Sequence, residues 1–592
     1  MDNKSPDKTP EAMWNDLLRD GINSSADFMK NVPYFMHFSK DFVESCTTYA
    51  KTLTEKPGEM FKLQMIYMNF VQKQMLLWND FSNKIKENGQ PAPGKTETDK
   101  RFQASEWNEF PWFDFLKRSY LLVSELMMDI VKAADTDEIT RRKLVFYTQQ
   151  YLDALSPSNF ILTNPEILKL IQTTGGKNLM DGYRNFMEDA KKGRISQTDD
   201  DAFEVGRNLA LTPGDVIFEN ELIQLIRYTP VTGKVYEIPL LIIPPWINKY
   251  YILDLEPDTS FVRWFTEQGF LVFIISWRNP KSKEQNFSWD DYLKKGMFEA
   301  MNQAVSFCGS KKINVLGYCI GGTLLGIGAA MIRSGNPKKK NIPQKNILNT
   351  ASFLAAMLDF SDIGPMSAII DNDLVSLLEK RIEKETIMNG HALEDSFNMI
   401  RANDLIWNYV VNNYFKGNKP APFPVLYWSN DNTNLPGKMY GYYLRHMIFE
   451  NKLVQPLALT IAGMPVDLRK IDIPVVVIGT KEDHISPCRT AYKTTEIVKG
   501  PVEFILGNSG HVMGAMNHPS KNKYGYRVNG NLGKGFDEWV KSSNEESGSW
   551  WLYWKEWLAK HSGKMKTVRN DPSDSDFKPI ELAPGRYVKE KI

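Results

Sequence analysis

Apolar residues run along this chain in two rhythms. Over residues 1–88 they recur at helical spacing: Met60, Leu63, Tyr67, Phe70 and Val71, then Leu76, Leu77 and Phe81. Methionine and aromatic residues are dense there, which suits either a packed core or an adaptable contact surface. Gln90–Asp99 reads as a loop or linker, because Pro and Gly punctuate it. Helical patterns resume over Trp112–Leu155 and Pro165–Ala190, and the polar run Ser196–Asp201 marks a boundary. Beyond it the period changes. Strands are expected at Val216–Phe218, Leu222–Tyr228, Pro239–Ile243, Leu271–Ser276, Ile313–Leu316, Ala351–Met357, Val475–Ile478 and Val502–Leu506. Several are unbroken apolar runs, as in parallel strands covered on both faces. From about Asp359 to Leu453 the strand rhythm lapses into helices rich in aromatics, which reads as an inserted cap. The last strong pattern is the Trp-rich helix Ser549–Trp557. The expected architecture is a mainly helical N-terminal domain over 1–200. An α/β domain over 201–592 follows, a doubly wound sheet with a cap inserted at about 330–453.

Composition changes this picture little but removes several function classes. The 592 residues are 42% hydrophobic and 24% charged, with a formal net charge of +1. That balance is ordinary for a globular protein and gives no electrostatic case for nucleic acid. Cys46, Cys308, Cys319 and Cys488 are widely scattered, so neither a disulfide framework nor a metal site is expected. No apolar run is long enough to span a bilayer; Ile238–Ile247 is short and broken by prolines. The first residues lack the apolar centre of a signal peptide, so the expected location is cytoplasmic.

The chemistry concentrates at Ile313–Gly322. A β-branched strand runs into Gly317-x-Cys319-x-Gly321, and a helix-forming run follows. This is the nucleophile elbow of an α/β-hydrolase fold, with cysteine in place of serine. Such folds bring nucleophile, acid and histidine in that chain order. The acid candidate is Asp483, just past the strand at Val475; the histidine candidate is His511, just past the strand at Val502. Asp254, Asp431 and Glu482 compete for the acid's role, His484 for the histidine's. Cys319 can also be read as a buried structural thiol. A free thiol near pKa about 8.5 is mostly protonated at neutral pH, so it needs a base such as His511. An oxyanion would be met by backbone N–H groups of Ile320, directly after the nucleophile, and of Ile247, in the loop Pro244–Asn248. Cysteine also carries a thermodynamic hint. A thiol acylated by a thioester is again a thioester, so the acyl group stays activated and can pass to an alcohol.

These residues resemble the polyhydroxyalkanoate synthases. Gly317-Tyr-Cys-Ile-Gly-Gly322 is similar to that family's modified lipase box. Pro244–Leu255, Ser276–Pro280, Leu358–Asp362, Asn403–Tyr409, Trp428–Asp431 and Glu482–Ile485 resemble its further blocks, and Ser156–Phe160 with Thr163–Glu166 its N-terminal region. The resemblance implies an acyltransferase that polymerises (R)-3-hydroxyacyl-CoA into polyester granules and releases CoA. Cys319 would carry the chain, with His511 activating the thiol and Asp483 assisting. The N-terminal region is similar to the single-subunit class that takes short monomers such as 3-hydroxybutyryl-CoA. No separate cofactor is implied, coenzyme A arriving on the substrate. Arg401 matches an arginine suspected in CoA binding, although a salt bridge explains it equally well. His484 and Asn451 would line the pocket. The resemblance further implies a homodimer at the granule surface.

Overall fold

A computed structural model describes residues 40–86, 98–335, 342–567 and 578–592. The expectations for residues 1–39, 87–88 and most of the linker at 90–99 lie outside them. The chain divides into two compact units. One holds the described residues up to Asp199 together with Ser396–Ala421; the other holds Asp200–Asp395 and Pro422–Ile592.

The first unit is helical. After a helical run over 40–55 come α1 (Pro57–Lys86), α2 (Pro111–Ala133), α3 (Glu138–Ala154), α4 (Pro165–Thr174) and α5 (Lys177–Lys192). The Trp112–Leu155 pattern is thus two helices. Asp137 starts the second by accepting from the Thr140 N–H at 3.0 Å. The Pro165–Ala190 pattern also breaks, because Gly175 and Gly176 both take positive φ. α1 and α2 lie side by side, with Phe81 stacked on Phe115 at 4.6 Å and Arg118 paired with Asp80 at 2.5 Å. The stretch 396–421 joins this unit through α5. A methyl group at Gly182 would stand 1.8 Å from the Tyr414 carbonyl, and the Tyr414 hydroxyl donates to Asp189 at 2.8 Å. The residues expected to form a cap are therefore partitioned between the two units. Residues 348–354 within that expected stretch form a central strand, so the inserted part begins after Leu354.

The second unit is built on an eleven-stranded sheet. In chain order its strands are β1 (Gly214–Glu219), β2 (Ile223–Tyr228), β3 (Leu240–Ile243), β4 (Val272–Trp277), β5 (Ile313–Tyr318) and β6 (Leu348–Leu354). They continue as β7 (Val475–Thr480), β8 (Val502–Gly507), β9 (Tyr526–Val528), β10 (Asn544–Glu546) and β11 (Glu581–Leu582). The spatial order is β10-β9-β8-β7-β6-β5-β3-β4-β2-β1-β11. From β4 to β8 every neighbouring pair is parallel, while the flanking pairs are antiparallel. The parallel centre explains the unbroken apolar runs, since every residue of β3 and β5 is buried. All eight expected strands are present. β6 ends earlier than expected because Ala355 takes a left-handed conformation, φ 43°. Helix α6 (Ile320–Ser334) is buried on all sides from Ile320 to Ile332, which fixes the entry to the elbow. Helix α7 (Trp550–Lys560) starts where Ser549 accepts from the Trp551 N–H, and it buries four tryptophans.

Candidate active site

The site sits where β5 turns into α6. Cys319 occupies the turn at φ 53°, ψ −127°, a strained backbone for any residue with a side chain. Two glycines make the turn possible. A methyl group at Gly321 would lie 2.1 Å from the Ile243 carbonyl, and one at Gly317 would lie 2.5 Å from the Gly322 Cα. The end of β3 therefore presses directly on the elbow. Cys319 itself is half-buried, and its N–H donates to the Leu354 carbonyl at 3.0 Å.

Two later strand ends deliver the other groups. Asp483 follows β7, and its side chain has no exposed surface. One carboxylate oxygen accepts from the N–H groups of Ile485 and Ser486, both at 2.8 Å; the other accepts from the Thr480 hydroxyl at 3.2 Å. That second oxygen also meets His511 Nδ1 at 2.7 Å. Burial alone would push the Asp483 carboxyl up. The His511 charge and these hydrogen bonds outweigh it and hold the group below the usual carboxylate range. His511 follows β8 in the turn beyond Ser509, which itself has φ 74°. Burial works to lower its pKa. The Asp483 charge, then the Cys319 charge, then hydrogen bonds to both side chains raise it well above the ordinary histidine value. The carboxylate of Asp483 thus holds the ring at Nδ1, and the Cys319 side chain lies within the field of the ring.

Two of the competing acids, Asp254 and Asp431, are occupied elsewhere. Asp254 accepts from the Ser260 hydroxyl at 2.6 Å, and Asp431 meets Lys249 at 2.7 Å. Ile320 is the first residue of α6, so its N–H has no acceptor within the helix. Ile247 lies in the loop beyond β3, whose carbonyls at Ile243 and Pro244 abut Gly321. The other expected site residues scatter. Asn451 (φ 47°) accepts from the Phe360 N–H at 2.8 Å and donates to Asp359 at 3.0 Å, so it braces the loop after β6. His484 follows Asp483 on the same loop, with its carbonyl 3.2 Å from where a methyl group at Gly364 would stand. Arg401 belongs to the helical unit and pairs with Asp404. Cys46 is exposed, Cys308 and Cys488 half-buried.

Sequence reading assigned Tyr318 no role, yet its ring stacks on His511 with centroids 5.5 Å apart and planes at 25°. Its hydroxyl donates to the His511 carbonyl at 3.3 Å. Its place beside the nucleophile was the available signal. Tyr443 lies in the aromatic-rich stretch expected to form the cap. Its phenol is pushed up by burial and then by the charge of Cys319, which puts it within that group's field. Among the described residues, no cluster of His, Cys, Asp or Glu could hold a metal ion. No described helix is long and apolar enough to cross a membrane.

The parallel centre and elbow define an α/β-hydrolase fold. A family model described as the N-terminus of poly-beta-hydroxybutyrate polymerase (PhaC) matches residues 98–265. The poly(3-hydroxyalkanoate) polymerase subunit PhaC of Cupriavidus necator is 42% identical across 84% of this chain and 85% of its own. The poly(3-hydroxyalkanoate) polymerase of Methylorubrum extorquens is 39% identical across 85% of this chain and 82% of its own. The PhaC subunit of Rhizobium etli is 38% identical across 85% and 79%. The chain belongs to the poly(3-hydroxyalkanoate) polymerase family.

Proposed function

We propose that this chain is a cysteine acyltransferase that joins (R)-3-hydroxyacyl groups, delivered as CoA thioesters, into polyester. The observation that supports the reading is His511, paired with Asp483 at 2.7 Å and within the field of the Cys319 thiol at a strained elbow. The Cys319 proton passes to His511, and Asp483 stabilises the cation that forms. Sulfur attacks the thioester carbonyl, and the N–H groups of Ile320 and Ile247 meet the oxyanion. The carbon–sulfur bond to CoA then breaks. His511 returns its proton to the leaving thiolate, so CoA departs as the thiol. The acyl group now rests on Cys319 as a thioester. The 3-hydroxyl of another unit gives its proton to His511 and attacks. A carbon–oxygen bond forms, the bond to Cys319 breaks, and the thiol is restored.

The same reading makes coenzyme A a part of the substrate, with no separate cofactor. His484 and Asn451 belong to the pocket side. The preferred monomer is short, 3-hydroxybutyryl-CoA, and the enzyme works as a homodimer in the cytoplasm at the surface of its polyester granules. The names of the relatives support the polymerase activity, and the acyl-enzyme argument supports transfer to alcohol over transfer to water. The test is incubation with (R)-3-hydroxyacyl-CoAs of several lengths, measuring free thiol, polymer and soluble hydroxyacid together. CoA release matched by polymer, fastest with the four-carbon unit, is the expected result. Release matched by soluble hydroxyacid would make the chain a thioesterase.

A further inference from the structure

The loop that carries Ile247 has no helix or strand of its own between β3 and Tyr250. It is tied by hydrogen bonds to residues from elsewhere in the same unit. Trp428 Nε1 donates to the Lys249 carbonyl at 2.6 Å. The Thr433 N–H donates to the Ile247 carbonyl at 3.2 Å, and Asn248 Nδ2 donates to Asn432 Oδ1 at 3.0 Å. Beside these bonds lies a buried charge cluster. Asp431 Oδ1 accepts from Lys249 Nζ at 2.7 Å and from Lys591 Nζ at 2.9 Å, while Asp431 Oδ2 accepts from the Tyr251 hydroxyl at 3.0 Å. Lys249 also donates to the Glu590 carbonyl at 2.7 Å, a contact across 341 residues of sequence. The Lys249 and Asp431 side chains are each only 3% exposed.

Charges taken this far from water add little net stability, because desolvation offsets their attraction. The segment that closes the cluster is itself anchored. β11 pairs with β1, the Tyr587 N–H donates to Gln224 Oε1 at 3.1 Å, and the Tyr587 hydroxyl donates to the Asn220 carbonyl at 2.7 Å. Lys591 thus reaches Asp431 from a strand-tethered base.

We infer that Asp431, bridged by Lys249 and Lys591, is a positioning centre for the oxyanion loop. It fixes the backbone around Ile247, and so the direction in which that N–H meets the developing oxyanion. The inference rests on the reading of Ile247 as an oxyanion donor in acyl transfer. The three residues act through the loop, so they are positioning residues.

Two reactions of one thiol separate this role from a general structural one. Alkylation by iodoacetamide forms a carbon–sulfur bond and expels iodide, with the thiol proton leaving through His511; it passes through no oxyanion. Acylation by 3-hydroxybutyryl-CoA does. Both rates are measured at Cys319 of the full chain, the alkylation by mass spectrometry of the peptide that carries it, as wild type, Lys249→Met, Lys591→Met and Lys591→Arg. Acylation in the first turnover falls about 100-fold in Lys249→Met and about 10-fold in Lys591→Met, as a displaced oxyanion donor requires. Alkylation stays within about twofold, and Lys591→Arg recovers most of the lost acylation, since a guanidinium can still pair with the carboxylate. The Lys591 side chain is 59% exposed, so that pair of variants remains decisive even if Lys249→Met fails to fold. Equal losses in alkylation and acylation, or acylation at the wild-type rate in Lys591→Met, overturn the inference. A wild-type chain that alkylates but is never acylated instead overturns the acyltransfer reading, and the inference with it.

Discussion

The two units use the same kind of residue to opposite ends. At the centre of the α/β unit, apolar side chains are shut away from solvent: every residue of β3 and β5 is buried, and α6 is buried on all sides to Ile332. In the helical unit, α1 spans 30 residues and buries only Glu59 and Leu77. Met65, Met68, Met75 and Trp78 lie open along it, Met68 at 58%. Helical spacing foretold the helix in both places but foretold burial in only one. A helix period reports local geometry, whereas burial depends on what packs against the face. The polar groups divide in the same way. The α/β unit encloses Asp483, Asp254 and Asp431, each met by several donors. The helical unit places many of its ion pairs at the surface, where they contribute little. Precision therefore belongs to the α/β unit, because enclosed and satisfied polar groups fix positions that exposed ones leave free.

The largest effect expected from this contrast is at the elbow. Cys319→Ala should reduce CoA release by about 10⁴-fold or more, since loss of a nucleophile leaves only binding and oxyanion contacts. Met68→Ala in α1 should leave the initial rate within about twofold, as a surface substitution does. Both are read by thiol release under identical substrate, with circular dichroism confirming that each variant is folded. Comparable losses at the two positions would erase the distinction between the units.

Much of the α/β unit was legible because its signals are local. A strand buried on both faces is an unbroken apolar run, and the elbow is written in three residues, Gly317, Cys319 and Gly321. Asp483 and His511 could be placed because each follows such a strand. The edge strands were not legible. Asn544–Glu546 is polar and exposed, so neither composition nor alternation marks it as β10. The end of β6 turns on the conformation of Ala355, a residue with no turn preference. The assignment of 396–421 to the helical unit depends on contacts such as Gly182 against Tyr414, which no window of sequence contains. The stacking of Tyr318 on His511 joins residues 193 apart in the chain and was invisible for the same reason.

A smaller effect tests whether buried polar groups tie the α/β unit to pH. Asp254 is enclosed with Thr212 and Ser260, and burial pushes its carboxyl up to about 6 despite their hydrogen bonds. In the unfolded chain the same carboxyl titrates near about 3.9. Between those values the folded state holds the proton and the unfolded state does not. The contribution is fully present below pH about 4, falls as pH rises, and is gone above pH about 6. A shift of roughly two units is worth about 3 kcal/mol across that window. Carboxylates held low, such as Asp483, impose the opposite slope, so the diagnostic is a difference. Urea unfolding of wild type and Asp254→Asn from pH 4 to 7 should show the advantage of wild type shrinking by about 2–3 kcal/mol as pH rises. A gap that stays constant with pH would show that Asp254 is already ionised when folded.

The smallest effect concerns α1 itself and asks whether its open face is open in the working protein. Leu77 and Met68 lie on one helix and are similar in size. Leu77 is 2% exposed, so truncating it leaves a cavity; Leu77→Ala should cost about 2–4 kcal/mol. Met65→Ser together with Met68→Ser removes apolar surface that already faces water, and should move stability by less than about 0.5 kcal/mol. The m-value should also stay unchanged, since no additional surface is exposed on unfolding. A cost above about 1 kcal/mol for the double variant would mean that these methionines are covered in solution, and the contrast between the two units would narrow to one between different partners rather than between burial and exposure.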